Sequence, residues 1–345
     1  MPFWRGATGA QQRIRSLVNC LIKQPLELKL FFIAADDAAQ IREETERCPE
    51  LDSPNLSLEV HASSDPPAQL LSRLGWHAAG TWNQLSNKKH KPIDPAESPT
   101  LRLDDFNWPW ASRRFAQTVD QFKPDSIIIE YVKLAYLLDG LDTQTRPIQT
   151  IIDTHDMLHK RYQDFQQRGE RHWIAIGEAE EAKVLNRFET VIAIQSLEAN
   201  QMASMAPSAN VIVCKHACFP DGTHPDVADF QRPNADRVLS FGILASNNPA
   251  NRSAIETFIN SVWQPNYANA SNIQLTVAGS VCVSFESDPA NAKSIVWAPE
   301  LDSPSRFYDN VDVVVNPIEF GSGLKIKNVE AIAHGKPLIL SLRHI

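Results

Sequence analysis

Glycine is scarce in this 345-residue chain, 13 in all, so the group Gly321-Ser322-Gly323, with Gly335 behind it, stands out. It follows the β-branched run Val311–Val315 and precedes an amphipathic stretch, Leu324–His334, that reads as a helix. A helix opening just after a glycine turn presents amide hydrogens without helical partners and the positive end of its dipole. Lys325 and Lys327 add two full charges at that end. Such a set suits an anion, a diphosphate above all; a plain turn before a solvated helix is the competing reading. Glu330 follows Lys327 by three residues, near one helical face. A carboxylate there either accepts hydrogen bonds from ribose hydroxyls or pairs with Lys327, and the spacing leaves both open.

The elements that must position these residues are short apolar runs: Leu28–Ile33, Ser126–Glu130, Gln149–Asp153, Thr190–Ile194 and Asn210–Cys214, then Val238–Phe241, Ile273–Ala278, Ser294–Trp297, Val311–Val315 and Pro337–Ser341. They read as buried parallel strands. Amphipathic stretches such as Ile174–Arg187 lie between them, and strands alternating with helices imply right-handed βαβ units in an α/β, doubly wound fold. A proline-rich stretch at 221–236 reads as a linker between a domain at 1–220 and another at 237–345. Two domains also agree with the length, at roughly 150 residues each.

Composition narrows the function. Apolar residues make up 43% and charged residues 21% of the chain, as in soluble globular proteins. The net charge of −8 and the lack of any long Lys/Arg run exclude a duplex nucleic-acid footprint. Five scattered cysteines form no zinc pattern and read as reduced thiols, and no apolar run is long enough to span a bilayer, so a cytoplasmic location is expected. The chain has no G-x-S-x-G, no complete G-x-G-x-x-G after a strand, no P-loop and no Asp-X-Asp, which weakens hydrolase, dehydrogenase, P-loop and metal-dependent transferase readings.

Residues 316–337, Asn-Pro-Ile-Glu-Phe-Gly-Ser-Gly-Leu-Lys-Ile-Lys-Asn-Val-Glu-Ala-Ile-Ala-His-Gly-Lys-Pro, resemble the donor-binding signature of retaining GT-B glycosyltransferases of the group 1, or family four, type. Phe241–Ser246 followed by Asn251–Ile255, Leu275–Gly279 and Thr190–Glu198 are similar to that family at the expected places. The resemblance implies two Rossmann-like domains facing a cleft and metal-free transfer of a sugar from a nucleotide-diphosphate sugar to a glycan, lipid or small-molecule acceptor. It implies no cofactor beyond that co-substrate. Glu330 matches the family's ribose-binding Glu. Ser322 stands where the family often has a sugar-binding Glu, so Glu319 or the backbone of Gly321–Leu324 is expected to substitute. Of the usual Arg and Lys after the second domain's first strand only Arg252 is present, with Asn251 as the expected helix N-cap, which leaves more of the diphosphate to Lys325 and Lys327.

His155, in Asp153-Thr-His-Asp156, resembles the N-domain His that approaches the transferred sugar. A strand's carboxyl end suits that role. A metal held by His155, His159 and Asp153 or Asp156, or a capping Asp156 beside a structural His, are the other readings. Gly6 and Gly9 match the glycine-rich turn after the family's first strand, near donor phosphate or acceptor. That strand and the C-terminal helices are expected to be missing. Two alternatives remain: a nucleotide-sugar epimerase of the same fold, and a truncated, non-catalytic module. Trp76, Trp82, Trp108 and Trp110 read as an insertion packed on its own domain, with peripheral membrane contact as the functional alternative.

Overall fold

The computed structural model describes residues 2–5, 8–34, 38–62, 100–141, 147–218, 238–285, 295–299, 301, 304–320 and 324–341. The linker at 221–236, Trp76 and Trp82 lie outside these, as do Gly6, Gly321, Ser322 and Gly323. The chain forms two units. The first holds 1–6, 10–162 and 172–215; the second holds 7–9, 163–171 and 216–345. The change from one to the other at Lys215 falls just ahead of the expected linker.

In chain order the first unit contains α1 (Gly9–Leu21), β1 (Leu28–Ala34), α2 (Ala38–Glu46), β2 (Leu56–Ala62), β3 (Leu101–Arg102), α3 (Pro109–Phe122), β4 (Ser126–Glu130) and β5 (Gln149–Asp153). Then come α4 (Leu158–Gln167), whose residues 163–167 are counted with the second unit, β6 (Ile174–Ala175), α5 (Glu178–Leu185), β7 (Thr190–Ala193), α6 (Ser196–Met205) and β8 (Asn210–Val213). Among the described residues no strand precedes α1. Strands β4, β5, β7 and β8 form a parallel sheet in that order, and β1–β2 and β3–β6 are parallel pairs. Ile127, Ile129, Ile152 and Val191 from the sheet are buried with Phe115 and Val119 of α3, Leu185 of α5 and Met202 of α6. A sheet covered in this way needs apolar residues pointing both up and down, which is why its strands read as continuous rather than alternating runs. Trp108 and Trp110 lie parallel, 6.1 Å apart, and Trp110 is buried in this core, in agreement with the packing reading.

One stretch differs from expectation. Ile174 and Ala175 do not open a helix but form β6 against β3. The helix waits until Glu178, with Gly177 as N-cap and Glu178, Glu180 and Glu181 in its first turn, where carboxylates favour the positive dipole end.

The second unit contains β9 (Leu239–Leu244), α7 (Pro249–Phe258), a π-helical turn (Ile259–Trp263), α8 (Gln264–Tyr267), β10 (Ile273–Ala278), β11 (Ile295–Ala298), α9 (Pro304–Asp309), β12 (Val313–Asn316), α10 (Ile326–Ala333) and β13 (Leu338–Leu340). All pairings of its sheet, ordered β11-β10-β9-β12-β13, are parallel. Successive residues fall into separate apolar clusters. Ile243 and Val315 pack with Ile255, Ile259 and Trp263, while Leu244 and Val314 pack with Phe307, Tyr308 and Ala331, so helices cover both faces. Gly242 has no alternative in β9: a Cβ there would lie 2.6 Å from Phe307 and Val311.

Candidate functional site: two clusters at strand ends

In the first unit, Glu130 ends β4 and Asp153 ends its neighbour β5, where they are register partners. Both chains leave the sheet in left-handed conformation, Tyr131 at φ 73° and His155 at φ 63°. For residues with a Cβ this is strained, and such strain persists only where the surroundings enforce it. Here they do. His155 Nε2 lies 2.6 Å from Glu130 Oε2, and its ring stacks on Tyr131 with centroids 4.0 Å apart. Burial raises the Glu130 pKa against the lowering effect of the His155 hydrogen bond. Burial likewise pushes the Tyr131 hydroxyl up.

Beside this pair, Arg13 of α1 grips Asp153 with two nitrogens, Nε at 2.8 Å from Oδ2 and Nη2 at 2.8 Å from Oδ1, and donates Nη1 to the Cys214 carbonyl at 3.1 Å. Both side chains of the ion pair are almost fully buried. Carboxylate oxygens of Glu130 and Asp153 and a ring nitrogen of His155 lie within 4.8 Å of one another, close enough to chelate a cation. The guanidinium already engages both Asp153 oxygens, however, and His155 is bonded to Glu130, so the cluster is neutralised from within. The metal set built on His159 does not form. His159 Nδ1 lies 2.6 Å from Glu181 Oε2, whose carboxylate also accepts the backbone N–H of Leu158 and His159. That carboxylate at the start of α4 makes His159 structural. Asp156 pairs with Arg161 at 2.6 Å.

In the second unit, α10 starts at Ile326, two residues later than expected, with Lys325 as its N-cap. Lys327 therefore sits in the first turn. Its Nζ lies 3.3 Å from Asn251 Oδ1, a neutral acceptor, and among the described residues no carboxylate lies within ion-pairing distance of it. Burial and the neighbouring Lys325 charge lower its pKa to about 7. Asn251 is not the N-cap of α7. That position belongs to Asn248, whose Oδ1 accepts the Asn251 N–H at 2.9 Å, with Pro249 at the first helical position. The Asn251 side chain is thereby left to bridge: its Nδ2 donates to the Ser246 carbonyl at 2.7 Å, which fixes the amide with its oxygen toward Lys327. Arg252 donates to Asn247 Oδ1 at 3.0 Å.

Glu330 is buried and accepts the Tyr308 hydroxyl at 3.0 Å through Oε2. It forms no ion pair with Lys327, so that alternative falls. Burial raises its pKa, with Tyr308 and Lys327 pulling the other way. His334 stacks on the Tyr308 ring with centroids 4.5 Å apart. Glu319 is exposed on the segment after β12, and Leu324 is half-buried just before α10. Gly9 is the exposed first residue of α1. A cavity of about 300 Å³ beside α9, lined in part by Ala298, Arg306 and Phe307, includes none of the expected site residues.

The structure thus brings Lys325, Lys327, Glu330 and, through Asn251, the start of α7 into one region of the second unit. His155 stands with residues that sequence reasoning missed: Arg13, Glu130 and Tyr131. The match to known proteins bears on the first of these regions. Residues 236–344 match the family described as Glycosyl transferases group 1. That segment, 109 of the 345 residues, is similar to a group 1 glycosyl transferase domain.

Among solved structures, Anabaena HepE in complex with UDP and glucose is 12% identical with a TM-score of 0.59, over 96% of this chain and 77% of that one. An apo structure of OtsA is 11% identical with a TM-score of 0.50, over 91% and 84%. TarM is 10% identical with a TM-score of 0.48, over 67% of this chain; the chain spans 44% of its length. HepE and OtsA show the fold: α/β with parallel sheets, of the GT-B type. No curated protein sequence matches the chain. Within the matched segment, the residues singled out above follow β9 and β12, at the carboxyl end of the sheet, where ligands of such sheets bind.

Proposed function

We propose that this protein is a retaining, metal-independent glycosyltransferase that takes its sugar from a nucleotide-diphosphate sugar bound to the group 1 domain. The observation that carries this is Lys327: a desolvated ammonium at a helix N-terminus, held by a neutral amide instead of a carboxylate, in a segment that matches a transferase family. A cation kept without a counter-ion gains most from a ligand that supplies one. HepE has been solved with UDP and glucose, which makes UDP the first nucleotide to test.

In this reading Glu330 holds the ribose through the oxygen that Tyr308 leaves unused, and the diphosphate lies against the amides before and within the first turn of α10. As the bond from the anomeric carbon to the β-phosphate oxygen breaks, negative charge grows on that oxygen. Lys327, Lys325 and Arg252, fixed before reaction, stabilise this charge more than that of the intact donor, and the difference lowers the barrier. His155, oriented by Glu130 and Tyr131, addresses the transferred sugar. The acceptor is a glycan, a lipid-linked sugar or a small molecule.

A thermal-shift screen of UDP-, GDP- and ADP-sugars, followed by an acceptor-dependent transfer assay with the best of them, tests the proposal. Stabilisation by at least one donor and acceptor-dependent release of its nucleotide are expected. No stabilisation by any donor defeats the reading, and sugar release that needs no acceptor replaces it with the epimerase.

A further inference from the structure

Immediately after Tyr131 the chain forms a 3-10 helix, Val132–Gly140, and its second residue is Lys133. The Lys133 ammonium lies over three rings: Trp173 at 5.1 Å, Phe106 at 5.2 Å and Tyr131 at 5.6 Å from Nζ to centroid. Phe106 and Trp173 meet edge to face, 5.9 Å apart at 84°, so the walls brace each other. Tyr131 is also the ring stacked on His155. Among the described residues no carboxylate lies within ion-pairing distance of Lys133. Burial lowers its pKa. Aromatic faces attract an ammonium without discharging it. The charge remains available to an anion, in a setting drier than bulk water, where such pairing is stronger.

Trp173 is 37% exposed, a large share for an indole whose neighbours Ile174 and His172 are buried. A partly exposed indole suits the flat, C–H-bearing side of a sugar ring. With an ammonium 5.1 Å from that ring, the two together select a sugar that bears a negative group beside its apolar face.

We propose that Lys133, Trp173 and Phe106 form a subsite for a saccharide carrying an anionic group, joined through Tyr131 to His155. This rests on the reading of His155 as the residue that addresses the sugar, and makes the ligand an acidic acceptor. The anion is either a carboxylate of a uronic acid or a phosphate ester.

Calorimetric titration of the full chain with a hyaluronan tetrasaccharide, glucose 6-phosphate and neutral chitotetraose tests it, with UDP titrated separately. At least one acidic ligand is expected to bind at least tenfold more tightly than chitotetraose, and the tighter one names the anion. Lys133→Met, which keeps the stem, erases the preference, and Lys133→Arg retains it. Trp173→Leu weakens all the saccharides that bind. Thermal melting of each variant confirms that it is folded. UDP affinity stays within twofold throughout. The proposal is overturned if neither acidic ligand surpasses chitotetraose, or if Lys133→Met keeps the preference. Absence of UDP binding to the unmodified chain strikes the donor reading alone.

Discussion

The two clusters solve the problem of buried charge in opposite ways. Around β4 and β5, Arg13 and Asp153 neutralise each other with almost no exposed surface, and Glu130 is bonded to His155. At the start of α10, the Lys327 ammonium meets, among the described residues, the amide oxygen of Asn251 and no carboxylate. The first arrangement is finished: its polar groups satisfy one another and fix a histidine in a strained backbone. The second is open, since its cation has been given a place and a hydrogen bond but no counter-charge. The contrast assigns geometry to the first cluster and diphosphate affinity to the second.

The largest effect expected from breaking this contrast is on stability. Arg13→Met leaves a buried carboxylate without its partner and should cost about 3–5 kcal/mol in urea unfolding. Lys327→Met removes a cation that forms no ion pair among the described residues and acts on Glu330 only through space. It should leave unfolding nearly unchanged or improve it, and the same urea titration compares the two directly. Next in size is ligand binding: Glu330→Ala should weaken UDP by tenfold or more, about 1.4 kcal/mol at least, measured calorimetrically.

The third prediction concerns pH. Burial and the Lys325 charge lower the Lys327 pKa to about 7, and a bound diphosphate raises it again. Below pH 7 the lysine is already charged, whereas above it binding must take up a proton. Affinity for UDP-glucose, whose diphosphate loses no proton in this range, should therefore fall as pH rises from about 6 to about 8.5. The limit is about tenfold per unit. Lys327→Arg should flatten the profile because a guanidinium stays charged. A flat profile in the unmodified chain would remove the argument that this lysine is desolvated. The smallest effect is Asn248→Ala, a lost cap worth about 1 kcal/mol of stability, with a slight loss of UDP affinity as Asn251 loosens.

Much of this molecule is legible in the sequence for a simple reason: its strands are written as short apolar runs, and ten such runs stand out, the largely exposed β8 among them. Leu56–Ala62 does not, because Glu59 and His61 alternate with its apolar residues. Its half-exposed, period-two pattern is itself a signal of a strand, easily missed beside the apolar runs. The cap of α7 is also legible. Pro249 prefers the first helical position, which makes Asn248 rather than Asn251 the cap. The helix at α10 is readable from its pattern and family likeness, as are Lys327 and Glu330 on it.

Other pairings have no local signature. Arg13 and Asp153 are 140 residues apart, and nothing around either position names the other. Glu130 ends an apolar run like any polar strand terminus, and only the parallel register of β4 and β5 sets it beside Asp153 and His155. Tyr308 and Glu330 belong to different helices on one face of the sheet. Sequence reasoning finds residues whose chemistry is carried by their own element and misses those completed across elements.

The central claim is that the second unit holds an uncompensated charge for a diphosphate. The most direct measurement is a calorimetric comparison of UDP with uridine on the unmodified chain and on Lys327→Met. UDP should bind the unmodified chain far more tightly than uridine does, and Lys327→Met should erase at least tenfold of that advantage while leaving uridine unchanged. Equal affinity of UDP for both proteins would contradict the account.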